Sequence, residues 1–318
     1  MATYKGIQGF TIQNLSADPS NPIEGQVWYN STSNVWKVEE VTAAGAWATG
    51  NNLNTGRQVL AGAGTQTEAL GFGGYTTTQV GSTEEYDGNS WTSSNPLNTV
   101  RYGLAGCGTQ TAGLAFGGDT PPFTGATEEY DGTSWTTVNS MNTARWLLGG
   151  TGIQTAALAV GGYVPVTGAT EEYNGTSWTN SNNLNTARYF PVSAGTQTAG
   201  LAFGGKDPSP TGATEEYDGN SWTTSPGSLN TARGEFAGAG IQTAALAFGA
   251  TPAITATEEY DGTSWASNPT GLNTGRGELA GAGTQASALA FGGNVGPKTQ
   301  TEEWTGAGAA VTKTITVS

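Results

Sequence analysis

The sequence predicts an all-β fold of repeated four-stranded units, on three observations. A beat of 43 to 45 residues runs through the chain, marked by "LNTGR", "LNTVR", "MNTAR", "LNTAR", "LNTAR" and "LNTGR" ending at Arg57, Arg101, Arg145, Arg188, Arg233 and Arg276. The tryptophans Trp47, Trp91, Trp135, Trp178, Trp222 and Trp265 keep the same beat. Between these marks lie short apolar runs and glycine-rich turns, without a helical hydrophobic period. A period in the low forties built from such segments fits the blade of a β-propeller.

Each unit reads as four strands in order. After the arginine comes a small-residue run such as "GELAGAG", closed by a "GTQ" or "GIQ" turn. Next is "AALAFGG" or a near variant, a short apolar run suited to a strand buried on both faces. A variable connection leads to "TEEY", then a "DGTS" or "DGNS" turn, then a strand beginning at Trp. Asp-Gly and, at Asn174-Gly175, Asn-Gly favour tight hairpins because these residues accept positive φ.

Six copies of the arginine segment predict six blades, with repeats starting near residues 57, 101, 145, 188, 233 and 276. "VEEVTAAGAW" (Val38–Trp47) reads as a degenerate copy of third and fourth strands that completes the last blade and removes exposed edges. "GQVWYNSTSNVWKV" (Gly25–Val38) reads as a further hairpin, and "VTKTITVS" at the carboxyl end alternates like a strand. Together these leave a seventh, composite blade as the alternative. The division expected is residues 1–37 as a docking hairpin segment and 38–318 as the propeller.

Composition narrows the function. The chain of 318 residues carries 11 basic and 25 acidic residues, a formal net charge of −14, which disfavours binding to phosphate backbones. With no histidine and a single cysteine, Cys107, the chain lacks Ser-His-Asp and Cys-His nucleophile pairs, Cys/His zinc sites and an internal disulfide. Neither a signal-peptide run nor an apolar span of membrane length is present, so synthesis without secretion and no membrane insertion are expected. The glycine clusters "GAGTQ" and "FGGD" sit between strands, whereas phosphate-binding loops open onto a helix. No cofactor is expected.

The repeated charges invite a catalytic reading. Paired carboxylates such as Glu128-Glu129 suggest glycosidase chemistry, yet adjacent strand side chains point to opposite faces and cannot flank one bond. The six repeat arginines are all the arginines of the chain. One per unit, beside two glutamates, is the pattern of a repeated structural clamp between blades. The expectation is therefore a non-enzymatic protein in which arginines and glutamates build the frame.

Comparing the units shows where they differ. The connection after Gly-Gly changes every time ("YTTTQVGS", "DTPPFTGA", "YVPVTGA", "KDPSPTGA", "TPAITA", "NVGPKTQ"), and so does the one after Trp. In an up-and-down blade both emerge on one face, leaving the constant turns on the other, so the variable face is the candidate binding surface. Candidate contacts are Tyr75, Phe123, Tyr163 and Lys206 in the loops, and Tyr102, Trp146 and Tyr189 just after the arginines, near the channel mouth. Aromatic side chains there suit a carbohydrate or a protein loop, or simply plug the channel.

The Gly-Gly closing the second strand, the Tyr, the Trp about five residues on and the following basic residue resemble the kelch motif, from Val38 to Val311. Departures are Ala250 for the second glycine, Val160 for the usual Phe and Trp304 for the Tyr. "YDGTSW" is similar to the sialidase Asp box but one residue tighter, and a copper-radical oxidase on this scaffold would need histidine ligands. "EGQVWYNSTSNVWKV" resembles a hairpin near the start of fibre and appendage proteins of tailed bacteriophages, and the repeats resemble kelch-type propellers of phages of marine bacteria. The resemblance implies a virion structural protein, assembled in the host cytoplasm. Other virion proteins would dock on its amino-terminal segment, a host receptor or glycan on its loop face, and the assembly would be a symmetric oligomer. An intracellular kelch scaffold and a glycan-binding or glycan-hydrolysing propeller are the alternatives.

Overall fold

A computed structural model describes residues 13–19, 26–41, 44–308 and 310–315. Every regular element among them is a β-strand. They form seven four-stranded sheets, and the chain divides into two units, Ala46–Thr305 and Met1–Gly45 with Gly306–Ser318.

Ala46–Thr305 is a six-bladed β-propeller. Blade 1 comprises Ala61–Gly64, Ala69–Phe72, Thr83–Tyr86 and Trp91–Ser94, each antiparallel to the next. Blades 2 to 5 repeat this order, with inner strands Ala105–Thr109, Gly149–Ile153, Val192–Gly195 and Ala237–Ile241. Blade 6 takes Leu279–Gly283, Ser287–Gly292 and Thr301–Thr305 from one end of the unit and its outer strand, Ala46–Gly50, from the other. Trp47 lies opposite Trp304 in that closing pair. The inner strand of blade 1 neighbours those of blades 2 and 6, so the ring closes through six blades.

Neighbouring blades pack through large-to-small contacts. The second-strand Phe lies where a Cβ on the next blade's inner-strand glycine would collide with it: Phe72 on Gly106, Phe116 on Gly150, Phe203 on Gly238, Phe248 on Gly281 and Phe291 on Gly62. Blade 3 has Val160 instead, and the facing position in blade 4 is Ser193 instead of Gly. Ser193 Oγ approaches Gly149, where blade 2 has Ala105. Ala250 fits the second Gly-Gly position because its backbone there, unlike that of the five glycines, is outside the left-handed region.

The other unit is a sheet in the order Gln13–Leu15, Val27–Asn30, Val35–Val41 and Ala310–Ile315, its first pair parallel. The expected hairpin forms, with Asn30 opposite Val35. Asp18 accepts hydrogen bonds from Trp28 (3.0 Å) and Asn30 (2.8 Å) and pairs with Lys37 at 2.5 Å. Lys37, Asn30 and Trp28 together hold its carboxyl down at about 2.

Two details differ from the sequence reading. Of Val38–Trp47, only the end joins the propeller, because Thr301–Thr305 already supplies the third strand of blade 6. Val35–Val41 pairs with Val27–Asn30 and Ala310–Ile315 instead. The carboxyl-terminal strand joins the same four-stranded sheet, beside the hairpin. The first twelve residues of the 1–37 docking segment, and residues 20–25, lie outside the described residues.

Candidate functional site: the channel mouth

The repeated charges build the frame. All six arginines are buried, and each pairs with the first glutamate of its own blade's third strand: Glu84, Glu128, Glu171, Glu215, Glu258 and Glu302. Arg188 and Glu215 approach to 2.7 Å, Arg101 and Glu128 to 3.2 Å. The same carboxylate accepts the backbone N–H groups of the Asn-Thr that precedes the arginine, as Glu84 does from Asn54 (2.6 Å) and Thr55 (3.2 Å). The pair therefore lies within a blade, correcting the expected blade-to-blade ion pair, and anchors the crossover chain to the blade it enters. Burial pulls the guanidinium pKa values of Arg57, Arg101, Arg145, Arg188 and Arg233 down, that of Arg101 to about 10, and the facing glutamates oppose this.

Blade-to-blade bonding falls to other repeat residues. Each repeat Trp donates its Nε1–H to the Thr of the preceding blade's "TEEY", as from Trp135 to Thr83 at 2.9 Å, and this holds around the full ring. The Gln of each "GTQ" or "GIQ" turn donates to two carbonyls of the preceding blade. The Tyr hydroxyl donates to the second glutamate of the preceding blade, from Tyr173 to Glu129 at 2.8 Å and from Tyr260 to Glu216 at 2.7 Å. Where Trp304 replaces Tyr, Glu259 accepts from Asn268 instead, at 2.6 Å. Adjacent glutamates thus serve opposite faces, the first an arginine and the second a neighbouring blade.

The variable connections meet on one face. In blades 1 to 4 backbone bridges join the residue after the arginine to the residue after Gly-Gly: Gln58 with Tyr75, Tyr102 with Asp119, Trp146 with Tyr163 and Tyr189 with Lys206. On the opposite face the "DG" turns lie against the "TQT" turns: a Cβ on Gly88 would meet Thr67, and one on Gly132 would meet Thr111.

Around the channel mouth the candidate aromatics form a continuous arc. Ring centroids are 5.3 Å apart for Tyr75 and Tyr102, 5.5 Å for Tyr102 and Trp146, 6.3 Å for Trp146 and Tyr163, and 5.6 Å for Tyr163 and Tyr189. Phe123 stacks on Trp146 at 5.7 Å. The arc walls a cavity of about 570 Å³. Tyr102 donates its hydroxyl to the buried Asp119 at 3.0 Å. Burial and Asp119 together push this phenol up to about 12, so it remains a neutral hydrogen-bonding group. Lys206 lies at the end of the arc, but its Nζ is engaged by Glu235.

Sequence reasoning missed the cavity floor. The second residue after each arginine forms a ring of Val59, Gly103, Leu147, Phe190, Glu235 and Glu278, all with φ between +52° and +61°. Backbone hydrogen bonds of 2.7–2.9 Å link five successive pairs of this ring. Five L-residues hold a backbone conformation that costs a non-glycine residue about 1–2 kcal/mol. Below them the next residue is always apolar (Leu60, Leu104, Leu148, Pro191, Phe236, Leu279) and lines a narrower chamber of about 110 Å³. Reading "GRQVL", "VRYGL", "ARWLL", "ARYFP", "ARGEF" and "GRGEL" as aligned columns would have singled out the acidic pair.

Cys107 is buried, and burial pushes its thiol up to about 12. Among the described residues no group of three or more His, Cys, Asp or Glu is placed to hold a metal ion. No known family's sequence model matches the chain, and no curated protein matches it.

Proposed function

We propose that this chain is a non-enzymatic recognition propeller of the kelch type, serving as a tail-associated appendage of a bacteriophage virion. Its loop face, centred on the channel mouth, binds a receptor or partner, and its amino-terminal segment joins other virion proteins. The observation that carries the recognition reading is the aromatic arc from Tyr75 to Tyr189, walling an open cavity on the face where the repeats differ. Aromatic rings rimming a cavity supply large contact area at low entropy cost, with hydroxyls to orient a ligand. The repeat arginines and their glutamates, the groups a glycosidase would need, are committed to one another deep in the blades. The virion assignment draws its support from the likeness of Glu24–Val38 to the hairpins of phage appendage proteins.

Two measurements test these parts separately. Antibody-gold electron microscopy of particles from the source should label discrete tail or vertex positions; label confined to cell interiors would favour an intracellular scaffold. Glycan and peptide arrays probed with the wild type and Trp146→Ala should yield binders lost in the variant. Arrays with no mouth-dependent binder would overturn the recognition reading.

A further inference from the structure

Resting on that recognition reading, we infer that the channel mouth takes an arginine side chain carried on a loop of a partner protein, its guanidinium seated on Glu278 and enclosed by the aromatic arc. Three independent features of the mouth converge on this chemistry.

The first is an uncompensated carboxylate. Glu235 is paired with Lys206, but Glu278 Oε2 is buried and makes no hydrogen bond within the protein. Glu278 occupies a ring position that is apolar or glycine in blades 1 to 4, directly above an apolar chamber. Its backbone N–H donates to the Glu235 carbonyl at 2.7 Å, which holds the two acidic side chains in neighbouring blades. Burial and the nearby Glu235 charge raise its pKa, with Lys298 and Lys206 opposing. A half-buried carboxylate with one oxygen out of water and unbonded, beside a second carboxylate, lacks a hydrogen-bonding cationic partner.

The second is the wall. Tyr75, Tyr102, Trp146, Tyr163 and Tyr189 line the same cavity as Glu278. Aromatic faces attract cations within about 6 Å of the ring centroid. A planar guanidinium stacks on such faces while its fork meets a carboxylate, which a compact ammonium does less well. The third is size and charge: about 570 Å³ admits a residue with its flanking backbone, and a chain of net charge −14 draws basic partners toward it. Anionic glycans are disfavoured by the same field.

The test titrates the full chain with Nα-acetyl-arginine N-methylamide and with its neutral isostere, the citrulline amide, followed by protein NMR shifts and calorimetry. Saturable binding of the arginine amide in the millimolar range is expected, at least tenfold weaker for citrulline. Glu278→Gln should weaken arginine binding at least tenfold and leave citrulline unchanged, with no loss of melting temperature. Equal binding of the two amides, no arginine binding up to tens of millimolar, or an unaffected Glu278→Gln protein would overturn the inference. Array binders that depend on Trp146 but carry no basic group would sink the arginine assignment alone and leave the recognition reading standing. Arrays without any mouth-dependent binder would remove both.

Discussion

At Arg145 and Trp146, neighbouring residues serve different purposes. Arg145 is fully buried against Glu171, whose carboxylate also accepts the N–H groups of Asn142 (2.7 Å) and Thr143 (3.2 Å). Deleting the arginine leaves a buried carboxylate with its charge unmatched, and such losses cost about 3–5 kcal/mol. Chemical denaturation of Arg145→Ala should show a loss of that size. Trp146 faces the cavity and touches Phe123, Tyr102 and Tyr163. Its indole packs on Tyr102 and Phe123 of the preceding blade at the rim of the cavity and makes no hydrogen bond there. Two adjacent positions in one repeat column therefore separate frame from face, and the same division recurs at Arg101-Tyr102 and Arg188-Tyr189.

At the scale of the blade, steric complementarity sets the sequence. A Cβ on Gly106 would lie 2.3 Å from Phe72 Cζ, so Gly106→Ala should destabilise by about 1–3 kcal/mol through overpacking. At the equivalent positions of blades 3 and 4 the chain has Val160 in place of Phe and Ser193 in place of Gly, a smaller second-strand residue with a larger inner-strand one. Phe72→Val should accordingly rescue part of the loss in Gly106→Ala, giving a favourable coupling in a double-mutant cycle. Simple additivity of the two changes would refute the packing argument. This complementarity was legible only as a departure: Val160 stood out against the repeated Phe, but its partner lies in the next blade and shares no sequence pattern with it. Strand order, hairpin turns and the six-fold beat were legible because each follows from local chemistry repeated six times. The direction of the arginine pair was not, since the crossover and the third strand it binds lie 26 or 27 residues apart for most pairs.

At the scale of the whole ring, the tyrosine bonds bind successive blades and make stability depend on pH. Tyr130, Tyr217 and Tyr260 are raised to about 12, and Tyr86 and Tyr173 further, first by burial and then by the preceding blade's glutamate. A phenol in the unfolded chain ionises near 10. The folded ring holds these protons more tightly, so their contribution is complete below about pH 10 and is lost as pH rises toward about 12. Denaturation midpoints should therefore fall steeply between those values, and a Tyr130→Phe/Tyr217→Phe variant should lose part of that dependence. The candidate site was legible to the same degree as the blades: its aromatic wall could be placed because it follows the arginines and the Gly-Gly pairs, whereas the acidic floor could not. Glu235 and Glu278 share one column of the repeat, but that this column floors the cavity becomes visible only when the ring brings the blades together.

The division between a charged frame and an aromatic face is tested most directly by melting Arg145→Ala and Trp146→Ala beside the wild type. The account predicts a drop of about 6–15 °C for the arginine variant, from a loss of about 3–5 kcal/mol in a unit of this size, and a much smaller change for the tryptophan variant. Equal losses, or a larger loss for Trp146→Ala, would contradict it, placing the aromatic arc in the frame and freeing the arginine for another role.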